Sequence, residues 1–415
     1  MFNLRALKLF ATLLATSALA QDHSSEQSEA QISDPALECT PYYYAPSGQF
    51  VHNFPPIWQP ATLLANDTAG QAMWANISSS IPANIQPKGQ LNGSTINVTY
   101  DSVNDPDCWW SVRQCTIPKL AGLSPDVSSV PEPKTMGYGF DDGPNCTHNA
   151  FYDYLASQNQ KATMYYIGSN VLDWPLEAQR ALADGHEICA HTWSHRYMTA
   201  FQSQDAFAEL WYTMQAIKLV TGVTPTCWRP PYGDVDDRIR AIANALGLQT
   251  ILWKYDSNDW RVGLNNVTAT DVDTYYNLFI SNLTAGNFDT VGGIMLTHEL
   301  NNFTMQEATK FYPQLKSAFS HVVPVGVALN KTRPYREANY SLPTFQQYVS
   351  GQTAVSGNSS GTSSGTGSNS SPSSSGSSSG GIKPSSSAST LTIHTSVLWT
   401  LLSATLLLLT TGLAP

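Results

Sequence analysis

Two aspartates stand side by side in "GFDDGP", Asp141 and Asp142, between apolar residues and a Gly-Pro break. Adjacent carboxylates repel each other, and on a regular strand they would point to opposite faces. A divalent cation relieves the repulsion if one Asp binds it and the other stays ionised beside it as a base. Nitrogen ligands are available in "HTWSH", His191 to His195. Two His at i and i+4 share one face of a helical turn and can grip one ion. An Asp with two His leaves coordination positions open, as in a catalytic zinc site. The same set matches the facial triad of non-haem iron, but iron oxygenases favour jelly-roll folds, and the pattern described below is α/β. A bare H-x-x-x-H is more often a pair of surface or capping histidines; adjacent acids at another strand end reverse that balance.

Three further segments carry chemistry-bearing residues. In "WRPPYGD", Arg229 precedes two prolines that stiffen the loop, so its guanidinium fork can hold a carboxylate by two hydrogen bonds. The plain alternative is a surface Arg beside a proline turn. "WKYDSNDW", Trp253 to Trp260, offers two acids and two indoles; otherwise it reads as a capping Asp with core tryptophans. "MLTHE" offers His298, which alone would be a satisfied core histidine.

Each segment closes a short apolar run. The runs are "TMGYGF", "ATMYYIG", "HEICA", "TCWR", "LQTILWK", "GGIMLT" and "HVVPVGVA". Stretches with apolar positions near the helical period separate them, several ending in Gly. Strands alternating with helices over residues 131–345 predict a parallel α/β barrel or an open α/β sheet. In both, chemistry sits at the carboxyl ends of the strands. The first strand is expected to stop after Phe140, so that both aspartates can turn towards one mouth. Residues 21–130 are rich in Pro, Asn and aromatics, with poor helical periodicity. They predict irregular structure or short strands packed on the main domain.

The two ends read as signals. "MFNLRALKLFATLLATSALAQ" has a basic head, an apolar run and a small-x-small end, the pattern of a secretory signal peptide over 1–20. Residues 346–390 form a Ser/Gly-rich stalk suited to O-linked sugar. The apolar tail, 391–415, follows small residues and reads as a GPI signal, with attachment between Ser378 and Ser387. An ordinary membrane-spanning tail is the alternative. This places the protein outside the cell, on the outer face of the plasma membrane or in the wall. N-glycosylation sequons begin at Asn66, Asn76, Asn92, Asn97, Asn145, Asn266, Asn282, Asn302, Asn330, Asn339, Asn358 and Asn369. Six cysteines (Cys39, Cys108, Cys115, Cys146, Cys189, Cys227) predict disulfides in such a chain. Cys108 and Cys115 are close enough for a local loop, and the other pairings stay open. A net charge of −10 argues against nucleic acid or anionic lipid as partner, and no protein partner is implied.

The ordered set "FDDGP", "HTWSH", "RPPYG", "DSNDW" and "LTHE" resembles the polysaccharide deacetylase family (carbohydrate esterase family 4) over roughly residues 131–330. With the leader, stalk and tail it is most similar to fungal GPI-anchored chitin deacetylases. The resemblance implies a distorted (β/α) barrel of seven or eight parallel strands with a metal in its mouth. That metal would be zinc, with cobalt or another divalent ion as alternatives. It implies Asp141 as general base and Asp142, His191 and His195 as metal ligands. Arg229 would orient Asp141, and Asp259 would tune His298, the general acid. Tyr232 would help hold the oxyanion through its backbone N–H. Trp253, Trp260 and Leu296 would wall the pocket for the acetyl methyl. The implied reaction removes N-acetyl groups from chitin or its oligosaccharides, giving chitosan and acetate. Acetylxylan or peptidoglycan are alternative substrates, and a non-catalytic glycan-binding wall protein is the alternative class. One departure is Gly139, where the family often has Thr; it bears on strand packing.

Overall fold

Short apolar segments separated by amphipathic helices can bury both of their faces in a parallel sheet. They do so in the computed structural model, which describes residues 21–96, 98–354 and 356–357. The strands are β1 (Ser129–Val130), β2 (Thr135–Gly143), β3 (Thr163–Tyr166), β4 (Glu187–Ala190), β5 (Cys227–Trp228), β6 (Gln249–Thr250), β7 (Tyr255–Asp256), β8 (Gly292–Leu296) and β9 (His321–Pro324). Their order is β1-β8-β2-β3-β4-β5-β6, with β7 beside β8 and β9 beside β2. Every pairing is parallel except β1 with β8. The sheet curls into a half-barrel. The stretch ahead of β2 links its two edges: Val127 N–H donates to Thr250 O at 3.0 Å, Leu252 N–H donates to Val127 O at 2.7 Å, and β1 pairs with β8.

All seven predicted runs contain a strand, and β7 adds an eighth parallel one. The end of the last run, Val325–Ala328, is a short helix instead. The six expected helices form at Asn149–Ser157, Pro175–Ala183, Ser203–Thr221, Asp237–Ala245, Ala269–Thr284 and Asn302–Ala318. Gly222, at φ 80°, ends the longest of them. β2 is buried along its whole length, with Met136, Tyr138 and Phe140 among the least exposed side chains. A Cβ on Gly139 would lie 2.6 Å from the Thr163 carbonyl oxygen of the neighbouring strand. Glycine at this position is therefore what lets β2 and β3 approach so closely.

The aromatic-rich region before β1 differs from its expectation of irregular structure or short strands. It holds short helices, at Glu26–Glu29, Pro35–Glu38, Ala45–Gly48, Thr68–Ile77 and Trp110–Arg113. Side-chain caps start three of them, from Ser25, Asp34 and Asp67. In the sequence these polar residues interrupt periodicity; in the fold they begin short helices, two of four residues and one of ten. The region packs on the barrel through Phe54, stacked on Trp193 at 5.7 Å, and through Ala61, whose N–H donates to Glu209 at 2.8 Å. Disulfides join Cys39 to Cys146, Cys108 to Cys115 as the local loop predicts, and Cys189 to Cys227. The stalk expected from residue 346 starts too early: Phe345–Val349 is a helix, and its buried Tyr348 accepts at its hydroxyl from the Lys161 N–H at 2.9 Å. The expected signal peptide, most of the rest of the expected stalk, the apolar tail, and Asn97, Asn358 and Asn369 lie outside the described residues.

Candidate active site

Asp141 and Asp142 do not follow the end of a strand as expected; β2 runs through them to Gly143. Their carboxylates meet because the ladder with β3 slips between Asp141 and Gly143, and Asp142 takes a left-handed φ of 74°. Such a bulge re-aims one side chain of an alternating pair. The Asn170 side-chain amide donates to the Asp142 carbonyl at 2.8 Å and holds the bulge. A Cβ on Gly143 would fall 1.4 Å from Glu299 Oε1, so the floor beneath the bulge admits only glycine.

"HTWSH" is also not the helical turn the spacing suggested. It is a loop in which Thr192 and His195 have φ of 65° and 53°. Buried Glu209 supports it, accepting from the Trp193 N–H, the Ser194 N–H and the Ser194 hydroxyl at 2.7–2.9 Å. His191 Nδ1 lies 2.7 Å from the Arg229 carbonyl, which requires the proton on Nδ1 and leaves the Nε2 lone pair free. That Nε2 is 3.4 Å from Asp142 Oδ1, and His195 Nε2 is 3.1 Å from the same oxygen. The three donor atoms lie within 4.8 Å of one another. Asp142 Oδ1 is buried and accepts no hydrogen bond. Burial pushes its carboxyl up, but His195, His191 and His298 outweigh this and hold it well below the usual range. An orphaned carboxylate oxygen facing two imidazole nitrogens fits a divalent cation. Two other groups have ligand-like spacing, Asp105–Cys108–Cys115 and Glu187–Cys189–Cys227, but disulfides consume their thiols.

Arg229 is fully buried and donates to Asp141 Oδ1 at 2.6 Å. This is one hydrogen bond where two were expected. The rest of the guanidinium lies over the Tyr165 ring, 3.8 Å from its centroid, so stacking replaces the second bond. Asp141 Oδ2 is 3.6 Å from His191 Nε2. Opposite Asp141 sits His298: the Asp141 N–H donates to Thr297 O and the Glu299 N–H donates to Asp141 O, each at 2.9 Å. Asp259 accepts from His298 Nδ1 at 2.6 Å, from the His298 N–H at 3.1 Å and from the Trp260 N–H at 2.8 Å. Burial lowers the His298 pKa, but Asp259, with Asp142 and Asp141, raises it to about 10. His298 is thus cationic at neutral pH.

The remaining predicted residues frame this centre. Tyr232, at φ 58°, meets the His195 ring edge-on at 4.8 Å and stacks on Tyr197 at 4.1 Å. Trp253 is buried, 4.9 Å from the Trp110 ring and 5.7 Å from the Arg229 guanidinium. Leu296 ends β8, two residues before His298, and is buried. Trp260 is more exposed, with Arg261 over its ring. The sequence reading missed Glu209, Asn170, Tyr165 and Trp110. Of these only Glu209 left a signal, as an acid within the apolar stretch "AFAELWYTM". The sequon residues are scattered. Asn66, Asn76, Asn92, Asn266, Asn302, Asn330 and Asn339 are exposed, while Asn145 and Asn282 are partly covered.

A sequence profile described as polysaccharide deacetylase matches residues 128–251. The chain is 50% identical over 341 residues to chitin deacetylase 2 of Cryptococcus neoformans var. grubii, covering 81% of this chain and 75% of that one. It is 44% identical over 312 residues to the chitin deacetylase of Amylomyces rouxii, covering 73% of each. The solved chitin deacetylase of Colletotrichum lindemuthianum superposes with a TM-score of 0.47 at 23% identity, over 52% of this chain and 97% of that one.

Proposed function

This chain belongs to the polysaccharide deacetylase family, and we propose that it hydrolyses the N-acetyl groups of chitin, giving chitosan and acetate. One observation carries the reading. An arginine-paired carboxylate, a cation-ready Asp–His–His set and an Asp-paired histidine come together at the carboxyl ends of neighbouring strands.

An amide carbonyl is a poor electrophile and water a poor nucleophile. A divalent cation held by Asp142, His191 and His195 would supply electrophilic activation of both. The donor set, two imidazoles and one carboxylate with open positions, favours zinc, with cobalt or another divalent ion as alternatives. Arg229 holds one oxygen of Asp141 and leaves the other to take the proton of the attacking water. As the C–N bond breaks, protonated His298 gives its proton to the nitrogen, which leaves as an amine and not as an anion. Asp259 keeps His298 cationic for that step. The Tyr232 N–H serves the developing oxyanion; one such donor is typically worth roughly 100- to 1000-fold in rate. Trp253, Trp260 and Leu296 enclose the acetyl methyl.

We place the enzyme outside the cell, tethered through a GPI lipid at the stalk. The leader-like first 20 residues, the three disulfides and the small-residue region before the apolar tail support this. Release by phosphatidylinositol-specific phospholipase C tests the tether. Exposed sequons are the glycosylation sites. A glycan on Asn145 would displace the bond that its Nδ2 donates to Leu300 O at 2.7 Å. The activity is tested by acetate release from chitin oligomers, with mass spectrometry of the products, before and after chelation. Turnover that survives a chelator, or appears only on acetylxylan or peptidoglycan, defeats the reading.

A further inference from the structure

The region before the barrel does more than cover it. Its loop Lys88–Thr95 lies against the rim of the active site. Lys88 Nζ bridges Asp107 and Asp236 at 2.6 Å each, and the Lys88 N–H donates to Thr199 O at 2.7 Å. Gly93, at φ 84°, brings the loop backbone onto Tyr197; a Cβ there would sit 2.5 Å from that ring. Between this loop and the barrel is a cavity of about 280 Å³ whose wall includes Gln90, Thr95, Trp110, Tyr197 and Tyr232. Tyr232 also touches His195, so the cavity opens beside the candidate metal ligands. Lys88, Gly89 and Gln90 also line a second cavity, of about 650 Å³.

The lining is suited to a sugar. The Tyr197–Tyr232 pair offers aromatic surface, and the C–H faces of a pyranose pack on such surface. Among the described residues, the side chains of Gln90, Tyr197 and Tyr232 make no hydrogen bond within the protein, which leaves their polar atoms for ring hydroxyls. An aromatic wall with a few convergent polar groups is the usual make-up of a ligand pocket. We propose that the loop Lys88–Thr95 and the Tyr197–Tyr232 pair form a subsite for the sugar next to the one being deacetylated. It makes the enzyme select longer oligomers. The inference rests on the chitin reading and adds a binding role for residues outside the barrel.

The test compares kcat/KM for N-acetylglucosamine dimer and hexamer in wild type, Thr95→Trp and Gln90→Ala. Thr95→Trp fills the cavity and leaves the Asn92 and Asn97 sequons intact. The hexamer-to-dimer ratio is expected to fall at least about tenfold in Thr95→Trp and roughly two- to tenfold in Gln90→Ala, the scale of one lost hydrogen bond. Thermal unfolding checks that both variants fold. An unchanged ratio in both variants, whatever the absolute rates, overturns the subsite and leaves the chitin reading standing. No acetate from wild type on either oligomer overturns the chitin reading, and this inference with it.

Discussion

Replacing Asp259 by Asn isolates what the carboxylate does for His298. Asn keeps the shape and can still accept from Nδ1, but it removes the charge. His298 is 7% exposed and is raised from 6.5 to about 10, against a burial effect that lowers it. One pKa unit corresponds to about 1.4 kcal/mol, so Asp259, Asp142 and Asp141 together, net of burial, favour the imidazolium by on the order of 5 kcal/mol. Asp259 is the largest of the raising influences, ahead of Asp142 and Asp141, so without its charge burial weighs more heavily and the pKa falls. A general acid must be protonated, so activity is lost as pH rises through its pKa. In wild type that alkaline limb lies near pH 10; in Asp259→Asn it moves to lower pH. The wild-type-to-variant ratio of kcat should therefore grow about tenfold per pH unit above the variant's pKa, then level off near pH 10. Ratios cancel whatever pH dependence the two proteins share. Acetate release between pH 5.5 and 10.5 measures it. A ratio that stays flat with pH means that Asp259 only positions His298, and the reasoning fails. The same pair also stabilises the fold, fully below pH 6.5, and this contribution is lost as pH rises through about 10.

Asp141→Asn should retain bound metal and lose roughly 100- to 10,000-fold in kcat, while His191→Ala loses both; metal content and acetate release separate the two. Arg229→Met leaves a buried Asp141 charge without its cation, which should cost about 3–5 kcal/mol in denaturant unfolding. Gly139→Thr, towards the residue common in the family, forces a Cβ against the Thr163 carbonyl and should destabilise by about 1–3 kcal/mol; unchanged unfolding would show that β2 shifts freely. Cys39→Ser with Cys146→Ser opens a crosslink spanning 107 residues, so thermal unfolding should report a loss near the chain-entropy value of about 4–5 kcal/mol.

The barrel was legible because its signal is local. Each apolar run is short, each ends in a motif, and between them lie helical periods with glycine stops. The site residues were legible as types, and the reason they meet was not. Alternation predicts where the side chain of Asp141 points, but not that β3 slips past Asp142 and lets the next residue share its face. The i, i+4 spacing of His191 and His195 suggested a helical turn, whereas Glu209, on a helix of its own, holds those residues in a loop. The amino-terminal region was illegible for a different reason. Its helices are four to ten residues long and rest on caps and tertiary contacts, so no window holds enough periodicity to reveal them.

The backbone exceptions show where that long-range information was used. Asp142, Thr192, His195, Tyr232 and Asn258 all have φ between 53° and 74°, and they fall in four of the five segments that build the centre. A left-handed conformation at a residue with a side chain costs of order 1–3 kcal/mol and persists only where its surroundings dictate it. Here the surroundings are identifiable: Asn170 on the Asp142 carbonyl, Glu209 under the histidine loop, and Trp110 against Gly233 beside Tyr232. None of these supports belongs to the candidate ligand set of Asp142, His191 and His195. The sequence therefore places the chemistry in five short motifs and the cost of aiming it in distant residues of ordinary type. Asn170→Ala should consequently weaken metal binding by relaxing the bulge at Asp142, although the ligand set is intact, and a metal affinity equal to that of wild type would show that β2 holds the bulge unaided.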